Sequence, residues 1–383
     1  MMKILTIVGA RPQLIKAAAI SRAIRTVYSD RIEEVILHTG QHYDENMSEV
    51  FFTELSIPRP EINLNVGSGS HGSQTARMLE GVEQAILDHK PDALVIYGDT
   101  NSTCAGALAA AKLHVPVVHI EAGLRSFNKK MPEEVNRITA DHMSTLLFSP
   151  NESGITNLLK EGFNTDAEAP HDIDNPKVYQ CGDIMFDNSL HFSSLADGKS
   201  SIKQSLGLEK GSYILSTVHR PSNTDVPENL TDIFEAFLEL ADAGNTILMP
   251  LHPRTVAAMN RNLSPEVMAR VESSKGIHLL PPASFLEIID LEKNAKMLVS
   301  DSGGMQKEAF FFKKPCVVLR KETEWVELVE NGNAILTGPN KSKILNAVAH
   351  FENASDLTFP SFYGDGKAAE FICGEILQQL SKD

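Results

Sequence analysis

Short apolar segments alternate with stretches of helical spacing along the whole chain. Five strand candidates lie in the first half, at residues 3–8, 35–39, 93–97, 116–120 and 146–149. Apolar residues at helical spacing fall between them, at residues 12–26, 74–89 and 101–113. Strands that alternate with helices in this way are typical of βαβ units on a parallel sheet.

The same alternation begins again after an interruption. Residues 163–177 are acidic, contain proline and have few large apolar side chains, which predicts a surface loop or a domain boundary. Six further strand candidates follow, at residues 213–218, 246–251, 277–280, 297–300, 316–319 and 334–336, with helical spacing at 230–243 and 306–312. The pattern predicts an α/β protein of two Rossmann-like, doubly wound parallel-sheet domains that face a cleft, with limits at 1–180 and 181–365.

Composition narrows the class of protein. The chain has 383 residues and a formal charge of −15, with 42% apolar and 22% charged residues, which is typical of globular domains with an acidic surface. Such a charge disfavours non-specific binding of nucleic acid. No apolar run has the length of a membrane span or a secretion signal, and the four cysteines are too widely spaced for a disulfide framework. We therefore expect a cytoplasmic protein.

Candidate binding residues follow the predicted strands, because ligands of doubly wound folds bind beyond the carboxyl ends of the strands. After the first strand, Arg11 comes directly behind Gly9 and Ala10, and Lys16 follows one turn into the helix. Two cations at the beginning of this helix predict an anion site. The alternative is that both cations are solvated surface residues.

Acidic residues end two other strands of the first half. Asp99 and Glu121 each stand beside a glycine-containing turn, and Glu133 lies shortly downstream. Carboxylates that converge on one cleft raise one another's pKa, which suits alternating roles as general acid and general base. The alternative is structural, because Asp99 and Glu133 can cap helices and Glu121 can pair with Arg125.

The second half carries a candidate nucleotide site. Ser302, Gly303 and Gly304 begin a predicted helix after a strand, where backbone N–H groups can approach a phosphate closely. Glu308 follows one to two turns later, where a carboxylate can accept hydrogen bonds from ribose hydroxyls. A plain strand-to-helix turn is the alternative.

Histidines at strand ends are further candidates. His219 and His252 each follow a strand close to an arginine, which suits neutralisation of a phosphate or protonation of a leaving group. Either histidine can instead be a packed core residue. His38 and His42 span a strand end and a turn, so we predict no metal site there.

A glycine pattern at residues 67–72 imitates a dinucleotide fingerprint. Gly67, Gly69 and Gly72 fit GxGxxG between a short alternating segment and a predicted helix. The preceding segment carries Asn63 and Asn65, whereas a central parallel strand is apolar on both faces. We therefore predict a mobile loop there rather than an NAD site.

Taken together, the motifs resemble the non-hydrolysing UDP-N-acetylglucosamine 2-epimerase family over essentially the whole chain. The resemblance rests on these segments: Gly9-Ala-Arg-Pro, Gly40-Gln-His, Gly98-Asp-Thr, Glu121-Ala-Gly-Leu-Arg, Pro132-Glu-Glu-Val-Asn-Arg, His219-Arg, His252-Pro, Asp301-Ser-Gly-Gly and Tyr363-Gly-Asp-Gly-Lys-Ala. It implies the GT-B architecture and inversion of C2 of a UDP-2-acetamido sugar without a redox cofactor. The family's closing helix crosses back onto the first domain, and residues 366–383 are placed to do so.

The resemblance also implies roles for individual residues. Catalytic roles fall on Asp99, Glu121, Glu133 and His219. Substrate and UDP binding fall on Arg11, Lys16, Arg137, His252, Ser302, Gly303, Gly304 and Glu308. A UDP-sugar is the expected substrate and a homodimer the expected assembly. No metal, other cofactor, nucleic acid or membrane is expected to take part.

Departures from the family pattern indicate a branch. Gln13 stands where many members have Glu, and Trp325 stands where the common pattern has Arg. With Gly182-Asp183-Ile-Met and Phe310-Phe-Phe, these features resemble the branch acting on UDP-2,3-diacetamido-2,3-dideoxy-glucuronate, which makes the manno epimer for surface polysaccharide. Tyr43 and Asp44 replace the Arg and Gln usual at the allosteric substrate site of bacterial members.

A uronate substrate needs one more cation in the cleft, and Arg125, Lys129 and Lys130 are the candidates.

Three alternative functions stay open. The substrate can be UDP-N-acetylglucosamine. The protein can be a GT-B glycosyltransferase, which needs an acceptor and releases UDP, since fold does not fix function. It can also be an NAD-dependent or nucleotide-sugar-binding protein built around residues 67–72.

Overall fold

Two parallel sheets organise the chain, one in each of two structural units of the computed structural model. The first unit comprises residues 1–190 and 361–383, and the second comprises residues 191–360. The structure describes residues 1–41, 52, 59–196 and 202–381. His42, Tyr43 and Asp44 lie outside the described residues. Among the helices in these ranges, none is long and apolar enough to cross a lipid bilayer.

The first sheet has a doubly wound topology. Its strands are β1 (Met2–Val8), β2 (Ile32–His38), β3 (Ile62–Asn63), β4 (Ala93–Tyr97), β5 (Val117–Ile120), β6 (Leu146–Ser149) and β7 (Lys177–Gln180). They lie in the order β3-β2-β1-β4-β5-β6-β7, and every pair is parallel. The order reverses between β1 and β4, so the crevice for a ligand opens where these two strands end.

The second sheet repeats this plan. Its strands are β8 (Tyr213–Thr217), β9 (Thr246–Pro250), β10 (Ile277–Leu280), β11 (Met297–Ser300), β12 (Cys316–Val318) and β13 (Ala334–Leu336). They lie in the order β10-β9-β8-β11-β12-β13, again parallel throughout. The switch point here lies between β8 and β11. The predicted α/β class with two doubly wound parallel sheets is confirmed.

Helices cover the sheets. They are α1 (Arg11–Val27), α2 (His71–His89), α3 (Asn101–Lys112), α4 (Pro132–His142), α5 (Glu152–Lys160), α6 (Ile184–Ala196), α7 (Ile202–Ser205), α8 (Pro221–Thr224), α9 (Pro227–Asp242), α10 (Pro253–Asn262), α11 (Pro265–Ser273), α12 (Phe285–Asn294), α13 (Gly303–Phe311), α14 (Val326–Glu330), α15 (Lys341–Asn353) and α16 (Ala368–Leu380). Several of them, such as α1, α3, α5 and α13, begin within a few residues of a strand end. The central strands, such as β4, β5, β6 and β11, are buried on both faces, which explains their continuous apolar runs.

One short edge strand and one glycine segment differ from the sequence prediction. β3 and β7 lie at the two edges of the first sheet. β3 falls in the alternating segment that precedes the glycine pattern, whereas β7 was not predicted, because it is short and largely polar. Helix α2 begins at His71, so Gly72 is helical and the predicted loop at residues 67–72 ends at Ser70. The glycine pattern follows an edge strand rather than β1, where a dinucleotide fingerprint would stand.

The structural limits of the units differ from the predicted limits at 180 and 366. The first unit continues to residue 190 and resumes at 361. The reason is pairing of the two segments, because the Asp183 N–H donates to the Tyr363 carbonyl at 3.0 Å. A side chain at Gly182 would lie 2.8 Å from the same carbonyl oxygen, so the backbones approach closely there.

The Asp187 carboxyl group fixes the last helix, α16, within the first unit. Its two oxygens accept hydrogen bonds from the N–H groups of Ala368 and Ala369 at 3.2 and 2.8 Å. The Tyr28 hydroxyl donates to the Glu370 carbonyl at 3.0 Å, which joins α16 to the end of α1. Burial raises the pKa of Asp187 to about 6, although the two backbone hydrogen bonds oppose that shift.

This pKa predicts a pH-dependent stability that Asp187→Asn removes. The folded pKa of about 6 lies above the ordinary value of 3.8, so the folded state binds the proton more tightly than the unfolded state. The contribution of Asp187 to stability is therefore complete below about pH 4 and is lost as the pH rises through about 6. We expect the variant to gain up to about 3 kcal/mol relative to the wild type between these limits.

Chemical denaturation at about pH 4 and about pH 7.5 measures the difference between the two proteins. A difference in free energy of unfolding that is the same at both pH values would contradict the assignment of this titration to Asp187.

Candidate active site

The ends of β4 and β5 and the first turns of α1 bring three predicted site residues together in the first unit. Lys16 Nζ lies 2.6 Å from Glu121 Oε1, and both side chains are largely buried. Gly98 lies beside this ion pair, because a Cβ atom there would stand 3.3 Å from Lys16 Nζ and 3.4 Å from Glu121 Oε1. Asp99 follows Gly98, so the cation and the two carboxylates share one edge of the sheet.

Asp99 is held by side chains of α4. Arg137 Nη2 donates to Asp99 Oδ2, while Arg137 Nη1 donates to Glu134 Oε2 at 2.6 Å. Asn136 Nδ2 donates to the Asp99 carbonyl at 3.0 Å. Arg137, predicted as a substrate-binding residue, therefore orients the predicted catalytic carboxyl group.

Burial raises the pKa of Asp99 above its ordinary value. The cations Arg137 and Lys16 oppose the shift, whereas the neighbouring carboxylates Glu121 and Glu133 add to it. A carboxyl group in this environment can hold a proton closer to neutral pH than an exposed one, which general acid catalysis requires.

Glu121 has a backbone conformation that residues with a side chain rarely adopt. Its φ is +71°. Such a conformation costs about 1–3 kcal/mol and is concentrated at functional sites. The N–H groups of Glu121 and Ala122 both donate to the Phe148 carbonyl at 3.0 Å, which holds the turn in place.

The two remaining predicted residues of the first unit lie at its surface. Glu133 occupies the first turn of α4, behind Pro132, and its side chain is exposed. Arg11 is the first residue of α1 and is also exposed. Both positions leave these side chains accessible to a ligand.

The structural alternatives for the acids are not observed. The N-cap of α3 is Thr100 and that of α4 is Met131, so neither Asp99 nor Glu133 caps a helix. Glu121 pairs with Lys16 rather than with Arg125.

The prediction that Arg125 binds a sugar carboxylate is wrong, because the guanidinium group already has two carboxylate partners within the protein. Its guanidinium is almost completely buried and contacts Asp141 Oδ2 at 2.7 Å and Glu161 Oε2 at 2.6 Å. Lys129 and Lys130 lie exposed in the segment before α4, so they remain candidates.

Gln13, the first departure from the family pattern, has a structural role. Its Oε1 accepts from the Gly9 N–H at 2.9 Å, while Nε2 lies 2.9 Å from both the Tyr97 carbonyl and Thr103 Oγ1. The amide thus joins the ends of β1 and β4 to α3. A carboxylate at this position would not donate to the Tyr97 carbonyl.

In the second unit, Asp301 organises the turn that carries His219. It is fully buried and accepts from the N–H groups of His219 and Arg220 at 3.1 and 2.9 Å and from Asn223 Nδ2 at 3.0 Å. The His219 ring also lies against it, with Nδ1 at 3.2 Å from Oδ1. Asp301 was named only as part of a motif, although an acid at a strand end beside Ser-Gly-Gly is a usable signal.

Burial lowers the pKa of His219. The Asp301 carboxylate opposes the shift, whereas Arg220, His252 and Arg254 add to it. A neutral imidazole at neutral pH suits a group that takes up a proton or donates a hydrogen bond. His252 is exposed at the start of α10, where its Nδ1 accepts from the Arg254 N–H at 3.1 Å.

The predicted diphosphate turn begins helix α13. Ser302 is the N-cap, and its Oγ accepts from the Met305 N–H at 3.4 Å. Gly304 is exposed, and a Cβ atom there would meet no atom closer than 3.8 Å. A glycine that the fold itself does not require leaves room for a ligand beside the helix N-terminus.

Trp325, the second departure from the family pattern, braces this turn. Its Nε1 donates to the Gly303 carbonyl at 3.0 Å, and Lys307 Nζ lies 4.2 Å from its ring centroid. Glu308 lies on the same helix and is half-buried.

Glu292 is a fully buried acid of α12 that the sequence analysis did not single out. Burial and the Glu308 carboxylate raise the pKa of Glu292.

The predicted site residues thus form two sets. The first unit holds Arg11, Lys16, Asp99, Glu121, Glu133 and Arg137. The second holds His219, His252, Ser302, Gly303, Gly304 and Glu308. In each set the side chains follow strand ends near the switch point of a doubly wound sheet, which is the place for a ligand in such folds.

Two doubly wound sheets, with acids at one switch point and a glycine-rich helix start at the other, define a nucleotide-binding α/β enzyme of the GT-B type. The chain belongs to the UDP-N-acetylglucosamine 2-epimerase family, whose sequence profile matches residues 25–377. The predictions of this family, of the GT-B fold and of a non-hydrolysing UDP-sugar 2-epimerase are confirmed.

Three similar proteins cover essentially the whole chain. A UDP-N-acetylglucosamine 2-epimerase homolog of Methanococcus maripaludis is 47% identical over 99% of this chain and 100% of its own. The UDP-2,3-diacetamido-2,3-dideoxy-D-glucuronate 2-epimerase of Pseudomonas aeruginosa is 44% identical over 99% and 100%. The crystal structure of Methanocaldococcus jannaschii UDP-GlcNAc 2-epimerase in complex with UDP-GlcNAc and UDP has a TM-score of 0.80 at 39% identity, covering 98% and 100%.

The space beside Gly304 predicts that Gly304→Ala weakens UDP binding without disturbing the fold. The added methyl group meets nothing closer than 3.8 Å in the protein but occupies the approach to the helix N-terminus. We expect at least about tenfold weaker binding, because the backbone N–H groups lose close contact with the diphosphate. Calorimetric titration with UDP measures it, with the fluorescence of Trp325, the one tryptophan of the sequence, as a second readout.

Gly72→Ala is the matched control. A Cβ atom at Gly72 meets no atom within 4 Å, and the residue belongs to the glycine pattern that imitates a dinucleotide site. UDP affinity should be unchanged in this variant. Equal affinity for UDP in the Gly304→Ala variant and the wild type would refute the diphosphate site.

Proposed function

We propose that the protein interconverts UDP-2,3-diacetamido-2,3-dideoxy-glucuronate and its manno epimer, for surface polysaccharide biosynthesis, as a cytoplasmic homodimer. The reaction class rests on the family. The observation that carries the mechanism is the meeting of Asp99, Glu121 and Lys16 at the switch point of the first sheet. The sugar is inferred from the Pseudomonas aeruginosa relative of that name, at 44% identity over 99% of the chain.

The chemistry explains why acids and cations are needed together. C2–H of the sugar is not acidified by a carbonyl group, so simple deprotonation is too costly. Loss of the C2 proton together with UDP from C1 gives a glycal, in which C1 and C2 share a double bond and the β-phosphate has taken the C1–O electron pair. UDP then adds back to C1 as a proton is delivered to the opposite face of C2. The sequence is redox-neutral.

We assign the proton transfers at C2 to the acids of the first unit. Asp99, with its raised pKa, suits the group that alternates between acid and base. Glu121 faces the cation Lys16 and suits the second carboxylate, while Glu133, which is exposed and adds to the raised pKa of Asp99, is the third acid. Inversion at C2 needs one group that removes the proton from one face of the sugar and another that delivers a proton to the opposite face. A single carboxylate cannot do both.

We assign the departing UDP to the residues of the second unit and to the cations of the first. Ser302, Gly303 and Gly304 present the N-terminus of α13 to the diphosphate, and Glu308 accepts hydrogen bonds from the ribose. His219 and His252 stabilise or protonate the leaving group. Arg11 and Lys16 add positive charge near the sheet edge of the first unit.

UDP-N-acetylglucosamine is the second candidate substrate. The Methanococcus maripaludis relative at 47% identity is a UDP-N-acetylglucosamine 2-epimerase homolog, and the Methanocaldococcus jannaschii structure contains UDP-GlcNAc. Two features of this chain favour the diacetamido uronate. Trp325 with its stacked Lys307 stands where the common family pattern has Arg. Lys129 and Lys130 are exposed cations before α4, which a sugar carboxylate can use.

Proton NMR in D2O with each sugar separately tests the proposal. With UDP-2,3-diacetamido-2,3-dideoxy-glucuronate we expect the C2 signal to disappear and a manno product to form, because the C2 proton exchanges with solvent. UDP-N-acetylglucosamine should show neither change at the same enzyme concentration. Turnover of UDP-N-acetylglucosamine alone would transfer the assignment to the second candidate, and accumulation of UDP without C2 exchange would favour a transferase.

The carboxylate roles predict that Asp99→Asn and Glu121→Gln each lower kcat by at least about a hundredfold. Affinity for UDP should stay within a few-fold of the wild type, because neither group is assigned to the nucleotide. Steady-state kinetics and calorimetric titration measure the two effects. Asp88→Asn, an exposed position on α2, serves as the control and should keep full activity. Parallel loss of UDP binding in the Asp99 or Glu121 variant would overturn its catalytic role.

A further inference from the structure

A completely buried histidine lies beneath the two turns that carry Asp99 and Glu121. His119, in β5, is fully buried. Its Nδ1 lies 2.7 Å from Asp141 Oδ1, and its Nε2 lies 2.8 Å from the Gly98 carbonyl oxygen. Both ring nitrogens thus face a hydrogen-bond acceptor.

These contacts fix the protonation of the ring. A carbonyl oxygen only accepts, so Nε2 must carry a hydrogen. Asp141 accepts from the Gly123 N–H at 3.2 Å and contacts Arg125 Nη2 at 2.7 Å. Burial raises the pKa of Asp141, but the Arg125 cation opposes that shift, and with Arg125 and the Gly123 N–H both donating to it, this carboxylate is ionised and also only accepts. Nδ1 must therefore carry a hydrogen as well.

A charged ring also has a buried partner of opposite charge. Arg125 and Asp141 are almost completely buried, and Arg125 also contacts Glu161 at 2.6 Å. Glu161 is partly exposed, so solvent and His142, at 3.7 Å, share its charge. An imidazolium at His119 lies 2.7 Å from the fully buried Asp141 carboxylate, so its charge is paired rather than isolated.

The His119 ring and Asn136 bind the two backbone carbonyl groups that flank the Asp99 Cα atom. His119 binds the carbonyl before the Asp99 Cα atom, and Asn136 Nδ2 binds the carbonyl after it, at 3.0 Å. Gly98 has a φ of +61°, so the carbonyl that His119 binds belongs to a turn, in which the Gly98 N–H donates to the Ile120 carbonyl at 3.0 Å. With both peptide groups held, the direction of the Asp99 side chain is set.

Asp141 extends this control to the second turn. The carboxylate that pairs with His119 also accepts from the N–H of Gly123, two residues after Glu121. Gly123 has a φ of +81°, and a side chain there would lie 2.5 Å from the Gly154 carbonyl oxygen. The His119–Asp141 pair thus connects the turn of Asp99 to the turn of Glu121 through buried hydrogen bonds.

We propose that His119 is an imidazolium that serves as a positioning residue, holding the Gly98 carbonyl and, through Asp141, the Gly123 N–H, so that the Asp99 and Glu121 carboxylates are fixed relative to each other. The inference rests on the proposed catalytic roles of these two acids. His119 itself does not touch the sugar, because it is fully buried.

Two neutral substitutions remove the two hydrogen bonds of His119 one at a time. The amide nitrogen of Gln stands near the place of imidazole Nε2, so His119→Gln keeps a donor for the Gly98 carbonyl. The amide nitrogen of Asn stands near the place of Nδ1, so His119→Asn keeps a donor for Asp141 only. Both variants replace the ring with a smaller, neutral amide. They differ in which hydrogen bond is kept, so each variant is the control for the other.

We expect His119→Gln to keep kcat within about tenfold of the wild type and His119→Asn to lose about a hundredfold or more, since a shift of about 1 Å in a catalytic group has that effect. KM for the UDP-sugar should change by no more than a few-fold in either variant. A merely structural histidine would lower the thermal stability of both variants and leave kcat per folded molecule equal in the two. Equal kcat values in the two variants would overturn the positioning role.

The protonation is tested on the wild-type protein by correlation NMR of nitrogen-15-labelled histidine at neutral pH, with the His119 ring assigned through triple-resonance spectra. Two protonated ring nitrogens support the proposal, and one unprotonated nitrogen overturns it. This result does not depend on turnover. Absence of C2 exchange by the wild type with either sugar would instead count against the proposed function, so the two failures are distinguishable.

Discussion

The left-handed backbone conformation of Glu121 is the constraint on which the site of the first unit depends. A strand that enters this turn at a φ of +71° bears about 1–3 kcal/mol of strain, which the surroundings must offset. They do so with the Phe148 carbonyl, which accepts two N–H groups, and with Asp141, which accepts a third. The Glu121 carboxylate that this turn carries lies 2.6 Å from Lys16 Nζ.

The turn creates two carboxyl groups with different surroundings at one switch point. Asp99 is half-buried and has a raised pKa in spite of its contact with Arg137, whereas Glu121 is paired with Lys16. The proposed elimination and re-addition at C2 would use this asymmetry, because one group must give up a proton while another holds one. The second unit uses the same principle for another purpose, since buried Asp301 holds the His219 turn from beneath.

Much of this arrangement follows from the sequence, because parallel strands bring their carboxyl ends to one edge. Asp99 and Glu121 could therefore be placed together from two apolar runs and the residues behind them. The choice of partner could not be predicted. Arg125 is four residues from Glu121, yet it pairs with Asp141, which comes from the end of a helix sixteen residues further on. Distances across packed helices decide such pairings, and periodicity carries no information about them. The strand at Lys177–Gln180 was missed for a related reason, since an edge strand needs little apolar character.

The central claim is that the bond between C1 and UDP breaks in every epimerisation. It is tested most directly with substrate that carries oxygen-18 in the bridge between C1 and the β-phosphorus. If UDP departs and remains bound, the labelled oxygen becomes equivalent by rotation to the other terminal β-phosphate oxygens. Recovered substrate and product should then show label in non-bridging positions, at a rate comparable to that of epimerisation. Label that stays entirely in the bridge while C2 inverts would contradict the account.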